Sequence, residues 1–226
     1  MITKQQIKNL LQKENPTILE IGAHYGEDSI EFLKTFQNIT LHCFEPDPRN
    51  ITIIKKYHPQ LHLHQTAISN QNANNIDFHM SYQEPTDYTK ALNKYNFITK
   101  KDYIQHKLHS SGASSLKTGH QLLQNAQTTK ITTTTLDTWC KQNNITNIDL
   151  IWIDVQGAEK QVIQGAQNTL QNTNYIYIEY GETTYQDGMN RQQTIELITK
   201  QNYQIINKHS DTNKKGNLLL KRKQNT

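Results

Sequence analysis

The segment Thr17-Ile-Leu-Glu-Ile-Gly-Ala-His-Tyr-Gly-Glu-Asp-Ser29 restricts this chain to a narrow set of folds. A short apolar run carries an acidic residue near its end, meets a glycine loop, and opens into a helix at Glu27-Asp28-Ser29. A second apolar run, Leu41-His-Cys-Phe44, ends in Glu45, roughly twenty residues beyond the loop, the spacing of a nucleotide-cofactor cradle. In such a cradle the glycines let backbone approach the ligand closely, and the second carboxylate accepts a ribose diol.

The charges around the loop select among cofactors. A dinucleotide site needs a third glycine and an unobstructed helix N-terminus for its pyrophosphate. Here Glu20 precedes Gly22-Ala-His-Tyr-Gly26, and Glu27 and Asp28 follow it. Three carboxylates repel a pyrophosphate in a partly desolvated site but favour the ammonium and sulfonium of S-adenosylmethionine.

Elsewhere the chain alternates strand and helix patterns. Thr3 and Gln6 form a capping box for a first helix carrying Ile7, Leu10 and Leu11. Strands are expected at Thr17–Ile21, Ile39–Phe44, Leu61–Ile68, Ile76–Tyr82, Lys130–Thr134, Ile148–Ile153 and Tyr175–Ile178, with Tyr203–Lys208 and Asn217–Leu220 as a closing antiparallel hairpin. Helices are expected from Glu27, after Pro46 and Pro48, over Leu136–Gln142, after Gly157, and around Ile195, Leu197 and Ile198. That alternation predicts an α/β fold with a mostly parallel sheet and helices on both faces, a single domain over residues 1–226. Right-handed crossovers bring the carboxyl ends of the strands to one rim, where Glu20, Glu45, Asp154 and Glu179 should converge. The periodicity fades between Gln83 and Thr129, which is expected to be a substrate-side insertion or lid, or else a plain surface excursion.

Composition excludes several classes. Apolar residues make up 34% of the chain yet cluster periodically, which argues against disorder. The net charge of +4 is spread out, with Lys221-Arg222-Lys223 the one dense run, so nucleic acid is not the expected partner. No stretch approaches membrane-spanning length, and Met1-Ile-Thr-Lys-Gln-Gln lacks an apolar leader core. Cys43 and Cys140 fall in apolar patterns and are expected to be buried free thiols in a cytoplasmic protein.

With these residues in view, the chain resembles the FkbM family of S-adenosylmethionine-dependent methyltransferases. The matching segments are Ile18–Gly26, Cys43-Phe-Glu-Pro-Asp-Pro48, Ala67-Ile-Ser69, Thr135-Leu-Asp137, Ile153-Asp-Val-Gln-Gly-Ala-Glu159 and Ile178-Glu179. The resemblance implies a class I methyltransferase (Rossmann-like) sheet of seven strands and O-methylation, often of sugars or glycan-linked hydroxyls. One departure is Trp152, where many members have Lys two residues before the strand-end aspartate; Trp carries no charge, and a core role is expected for it.

Carried onto this sequence, the family roles give a set of expectations. Glu20, Gly22, Ala23, His24, Gly26 and Ser29 hold the amino-acid end of the cofactor, His24 through its backbone. Glu45 and Pro46 sit at the ribose, Ala67 and Ile68 flank the adenine, and Asp154 borders the cofactor. Asp154, with Glu179, is the expected catalytic pair, Asp154 as the base that deprotonates the acceptor. The two carboxylates could also hold Mg²⁺. Ser114, Ser115, Gln156 and His109 are placed on the substrate side, with His106 and His120 as further candidate bases; the serines could equally cap a turn. His62 and His64 are expected at an edge or facing solvent rather than on a metal. Two alternatives stand beside a carbohydrate acceptor: RNA or another small molecule, and a cofactor-binding partner subunit without catalysis.

Overall fold

A computed structural model describes residues 2–223 except 86, 125, 182–184 and 211–214. The chain begins with helix α1 (Lys4–Leu11), whose Thr3–Gln6 capping box forms as expected. Strand β1 (Thr17–Ile21), helix α2 (Glu27–Thr35), strand β2 (Thr40–Phe44) and helix α3 (Pro48–Tyr57) follow. Pro48 opens α3 with its fixed φ while the Asp47 carboxylate accepts from Arg49 N, so the turn after Glu45 is held tightly. Next come β3 (His62–His64), β4 (Ala67–Ile68) and β5 (Ala73–Met80), then two short helices, α4 (Thr89–Lys94) and α5 (Lys100–Gln105). The second half contains β6 (Gln127–Thr134), α6 (Leu136–Gln142), β7 (Ile148–Ile153), α7 (Glu159–Gln164), α8 (Gln167–Leu170), β8 (Thr173–Gly181), α9 (Arg191–Thr199), β9 (Tyr203–Ser210) and β10 (Lys215–Arg222).

Seven strands form one sheet in the order β3-β2-β1-β7-β8-β10-β9. All neighbours pair in parallel except β10, which runs antiparallel to both β8 and β9. This is the mostly parallel, hairpin-closed sheet that the alternation predicts. The central strand β7 reads Ile-Asp-Leu-Ile-Trp-Ile and is buried at every position, as a strand covered on both faces must be. One apolar cluster, including Leu19, Ile151, Ile153, Val162, Ile176 and Ile178, packs one face of the sheet. A second cluster, including Ile7, Ile18, Phe32, Leu150 and Trp152, packs the other. Alternate residues of β1 and β7 therefore go to opposite cores, following the two-residue period.

Two expectations need correction. The single strand expected over Leu61–Ile68 is two: β3 joins the main sheet, whereas β4 pairs with β6 in a second sheet of order β4-β6-β5. His64-Gln65-Thr66 ends the pairing with β2, so the chain can leave one sheet for the other within two residues. Consequently β5 and β6, expected among the parallel strands, form an antiparallel ladder outside the main sheet. The weakly patterned stretch from 83 to 129 contains α4, α5, two 3₁₀ turns at Ser111–Ala113 and Gln121–Leu123, and the start of β6. Its apolar side chains meet α3 and the glycine loop in a third cluster of Tyr25, Ile53, Ile98, Tyr103 and Leu108. Cys43 and Cys140 are both buried and free. Among the described residues, no helix is long and apolar enough to cross a membrane.

Trp152 is a core residue. It stacks on Tyr177 with ring centroids 3.7 Å apart, and Lys4 Nζ of α1 sits 3.5 Å from its centroid. Lys4 is itself buried and ion-paired with Asp28 at 2.7 Å. A cation therefore does stand at this position, supplied by the N-terminal helix rather than by the strand.

Candidate active site

The loop after β1 is built around a close backbone approach. Gly22 has φ +93°, and a Cβ there would lie 1.8 Å from the Asp154 carbonyl oxygen. The amides of Gly22 and Ala23 both donate to the Phe44 carbonyl, so the loop is pulled across the end of β2. A cleft of about 250 Å³ opens over the carboxyl ends of β1, β2 and β7. Its walls include Glu20, Gly22, Ala23, His24, Glu45, Pro46, Ala67, Ile68, Ser114, Asp154 and Gln156 of the residues predicted from sequence.

Each acid has a defined setting. Glu20 is buried, accepts a hydrogen bond from Ser29 Oγ, and is pushed up to about 8 by burial and by the charge of Asp28. Ser29 Oγ also lies 3.1 Å from Cys43 Sγ, so it supports Glu20 from below the cleft without lining it. Glu45 accepts from His24 N and Asp47 N, both at 2.8 Å, and from Asn50 Nδ2 at 3.3 Å. Burial and the Asp47 charge raise it to about 7. Asn50 also lines the cleft, and its buried Oδ1 has no hydrogen-bond partner.

At the β7 edge, Gln156 bridges two carboxylates. Its Nε2 donates to Asp154 Oδ1 at 2.5 Å and to Glu179 Oε2 at 2.9 Å. Its own side-chain oxygen accepts from Tyr185 OH at 3.2 Å, and its carbonyl from Ser115 Oγ at 2.6 Å. Burial and the Glu179 charge hold Asp154 well above the usual carboxylate range. Lys215 Nζ lies 3.2 Å from Glu179 Oε1.

The residues around Asp154 and Glu179 do not fit Mg²⁺. An amide N–H occupies the space between the two carboxylates, presenting a donor where a cation needs oxygen lone pairs. Among the described residues, no group of three or more His, Cys, Asp or Glu side chains is placed to hold a metal. The expected magnesium site is not supported.

Four other predicted residues lie outside the cleft wall. Gly26 packs against Leu61 and His58, Ser115 is engaged with Gln156 and Lys117, Glu179 stands behind Gln156, and His109 Nδ1 faces Tyr103 OH at 3.4 Å. His64 Nε2 pairs with His42 Nδ1 at 3.2 Å, away from the cleft. Asn50, Phe78, Lys94, Tyr95, Ser111 and Leu116 also line the cleft, and no sequence motif marks them. The turn Ser110-Ser-Gly-Ala-Ser-Ser115 was visible as a turn, but nothing in its spacing tied Ser111 to His24.

A parallel sheet with a terminal antiparallel strand, and an acid-lined glycine cleft at its carboxyl rim, define a class I S-adenosylmethionine-dependent methyltransferase. A model of the methyltransferase FkbM domain matches residues 20–205, and the chain belongs to that family. It is 35% identical over 187 residues to the 2-O-methyltransferase NoeI of Sinorhizobium fredii, which spans 81% of this chain and 71% of that protein. Among solved structures, a TehB-like S-adenosylmethionine-dependent methyltransferase from Corynebacterium glutamicum aligns with TM-score 0.48 at 10% identity, over 99% of this chain and 89% of its own. The 1,6-didemethyltoxoflavin-N1-methyltransferase of Burkholderia thailandensis aligns with TM-score 0.47 at 8% identity, over 98% and 77%.

Proposed function

We propose that this protein transfers a methyl group from S-adenosylmethionine to a hydroxyl of a sugar or glycan. The observation that carries this reading is the mixed lining of the cleft. Its carboxylates, Glu20, Asp28, Glu45 and Asp154, suit a donor bearing an ammonium and a sulfonium. Beside them stand Ser111, Ser114, Gln156, Lys94 and Tyr95, side chains of the kind that exchange hydrogen bonds with a polyol and stack on its ring faces. The related 2-O-methyltransferase NoeI supports oxygen as the accepting atom.

In this reading Glu45 and Asn50 receive the ribose hydroxyls, and Ala67, Ile68 and Phe78 give the adenine an apolar slot. Glu20, held by Ser29, answers the charge of the amino-acid end, and Asp154, held by Gln156 and Glu179, borders the sulfonium. The bound donor supplies an already activated methyl carbon. The protein's part is to align an acceptor oxygen with it, remove the hydroxyl proton and keep water out.

The test is incubation with isotopically labelled S-adenosylmethionine and a panel of oligosaccharides, nucleotide sugars and RNA, followed by mass spectrometry of whatever gains a methyl. Label on a sugar hydroxyl of a glycan or nucleotide sugar supports the reading. Label confined to RNA, or to a nitrogen, overturns it.

A further inference from the structure

Three side chains from two segments of the chain, the glycine loop with the start of α2 and the serine turn, meet at the cleft wall in an arrangement whose acid–base chemistry the roles above leave unused. His24 Nδ1 lies 2.9 Å from Glu27 Oε1, and His24 Nε2 lies 3.1 Å from Ser111 Oγ. All three residues line the cleft. His24 has φ +52°, an uncommon value for a side chain of this size. A Cβ at Gly112 would come within 3.4 Å of Nε2, so the glycine leaves the ring nitrogen room on that side. A carboxylate on one imidazole nitrogen and a hydroxyl on the other is the geometry by which histidine accepts a proton from an alcohol.

We propose that His24, oriented by Glu27, is the general base that takes the proton of the acceptor hydroxyl, with Ser111 Oγ marking where hydroxyls meet Nε2. This rests on the O-methyl transfer reading above. The acceptor oxygen forms its bond to the methyl carbon while its proton passes to His24 Nε2. The carbon–sulfur bond breaks with its electron pair on sulfur, leaving a neutral thioether. His24 becomes an imidazolium facing the Glu27 carboxylate and releases the proton to solvent. Asp154, the base expected from sequence, suits the role less well. Its Oδ1 is engaged by Gln156, and burial beside Glu179 favours its protonated form.

The surroundings of His24 fit the role. Burial alone would push the Glu27 carboxyl up, but the charge His24 carries once protonated, its hydrogen bond and the Tyr25 backbone N–H hold it below its ordinary value. The other titratable groups facing the ring are the Glu45 carboxyl, the Tyr25 phenol at a centroid distance of 3.6 Å and the Tyr95 phenol at 5.8 Å. Lys94 Nζ sits over the far ring, 4.8 Å from the Tyr95 centroid.

Two readouts on the full chain test this. In nitrogen-15 spectra of the protein without acceptor, neutral His24 should carry its proton on Nδ1, towards Glu27, and leave Nε2 bare. The opposite tautomer overturns the proposal whether or not an acceptor is known. With a sugar acceptor that the wild-type protein methylates, His24→Gln should lower kcat by about 10²- to 10⁴-fold. It should also remove the acidic limb of the pH profile and leave the calorimetric Kd for S-adenosylhomocysteine within about threefold. Glu27→Gln should lower kcat less and shift that limb to lower pH. A His24→Gln protein that retains kcat within fivefold, or whose Kd weakens in step with kcat, overturns the assignment. Wild-type protein that methylates no sugar hydroxyl defeats the functional reading instead, while the tautomer result still judges the histidine.

Discussion

Glu20 and Glu45 make the site respond to pH in a direction fixed by their burial. Both carboxyls titrate above the ordinary 4.5, at about 8 and about 7, because leaving water penalises their charged forms. The folded, ligand-free protein therefore binds more protons than the unfolded chain between those values and 4.5. Stability from these groups is fully present below pH 4.5 and is lost as pH rises through about 7 to 8. Thermal unfolding should accordingly show Tm falling over that interval, with Glu20→Gln flattening the slope. A bound cation reverses the preference, so calorimetric affinity for S-adenosylmethionine should strengthen as pH rises through the same window. Glu45→Ala should weaken that affinity by about 10- to 100-fold, the worth of a lost charged hydrogen-bond pair. Gly22→Ala places a methyl group 1.8 Å from the Asp154 carbonyl at a φ that disfavours side chains, and a loss of about 2 kcal/mol or more should appear in denaturant unfolding.

Among the elements, α1 contributes most beyond its size. It delivers Lys4 to the Asp28 carboxylate and to the faces of Trp152 and Phe32. Lys4→Ala leaves the part-exposed Asp28 carboxylate without its ion pair beside two other acids and should cost about 1–3 kcal/mol, whereas Lys4→Met combined with Asp28→Asn should recover much of it. A double-mutant cycle followed by urea unfolding separates the pair from general packing. Arg49 of α3 is the corresponding strap at the serine turn. It pairs with Asp47 and donates to the Ser81 and Lys107 carbonyls and to Ser114 Oγ. In Arg49→Ala, amide exchange should quicken across residues 107–116 while the central strand β7 stays protected.

For the molecule as a whole, the sheet was legible because its strands are short apolar runs ended by acids and followed by turn residues. Thr17–Ile21 and Ile148–Ile153 are examples. The second sheet was not legible, because β4 is two residues long and continues the alternation of β3, so nothing local marks the change of partner. Within the site, Glu20, Glu45 and Asp154 announced themselves by position at strand ends. Ser111, Tyr95 and Asn50 did not, because their roles arise from folding distant segments onto the glycine loop. Gln156 was expected on the substrate side, but its bridge to Glu179 depends on the β7–β8 register and Gln156's own φ of +53°, neither visible in the motif. Deleting residues 203–223 would strip β8 of its neighbour β10 and leave an apolar strand edge, and the soluble fraction on expression should fall sharply.

The small sheet has a consequence for how the cleft is assembled. Its β4 presents Ala67 and Ile68 to the cleft, while β5 bridges to Ser115 just after the serine turn. One wall of the cleft and the turn that carries Ser111 and Ser114 thus share a mooring outside the main sheet, joined through β6.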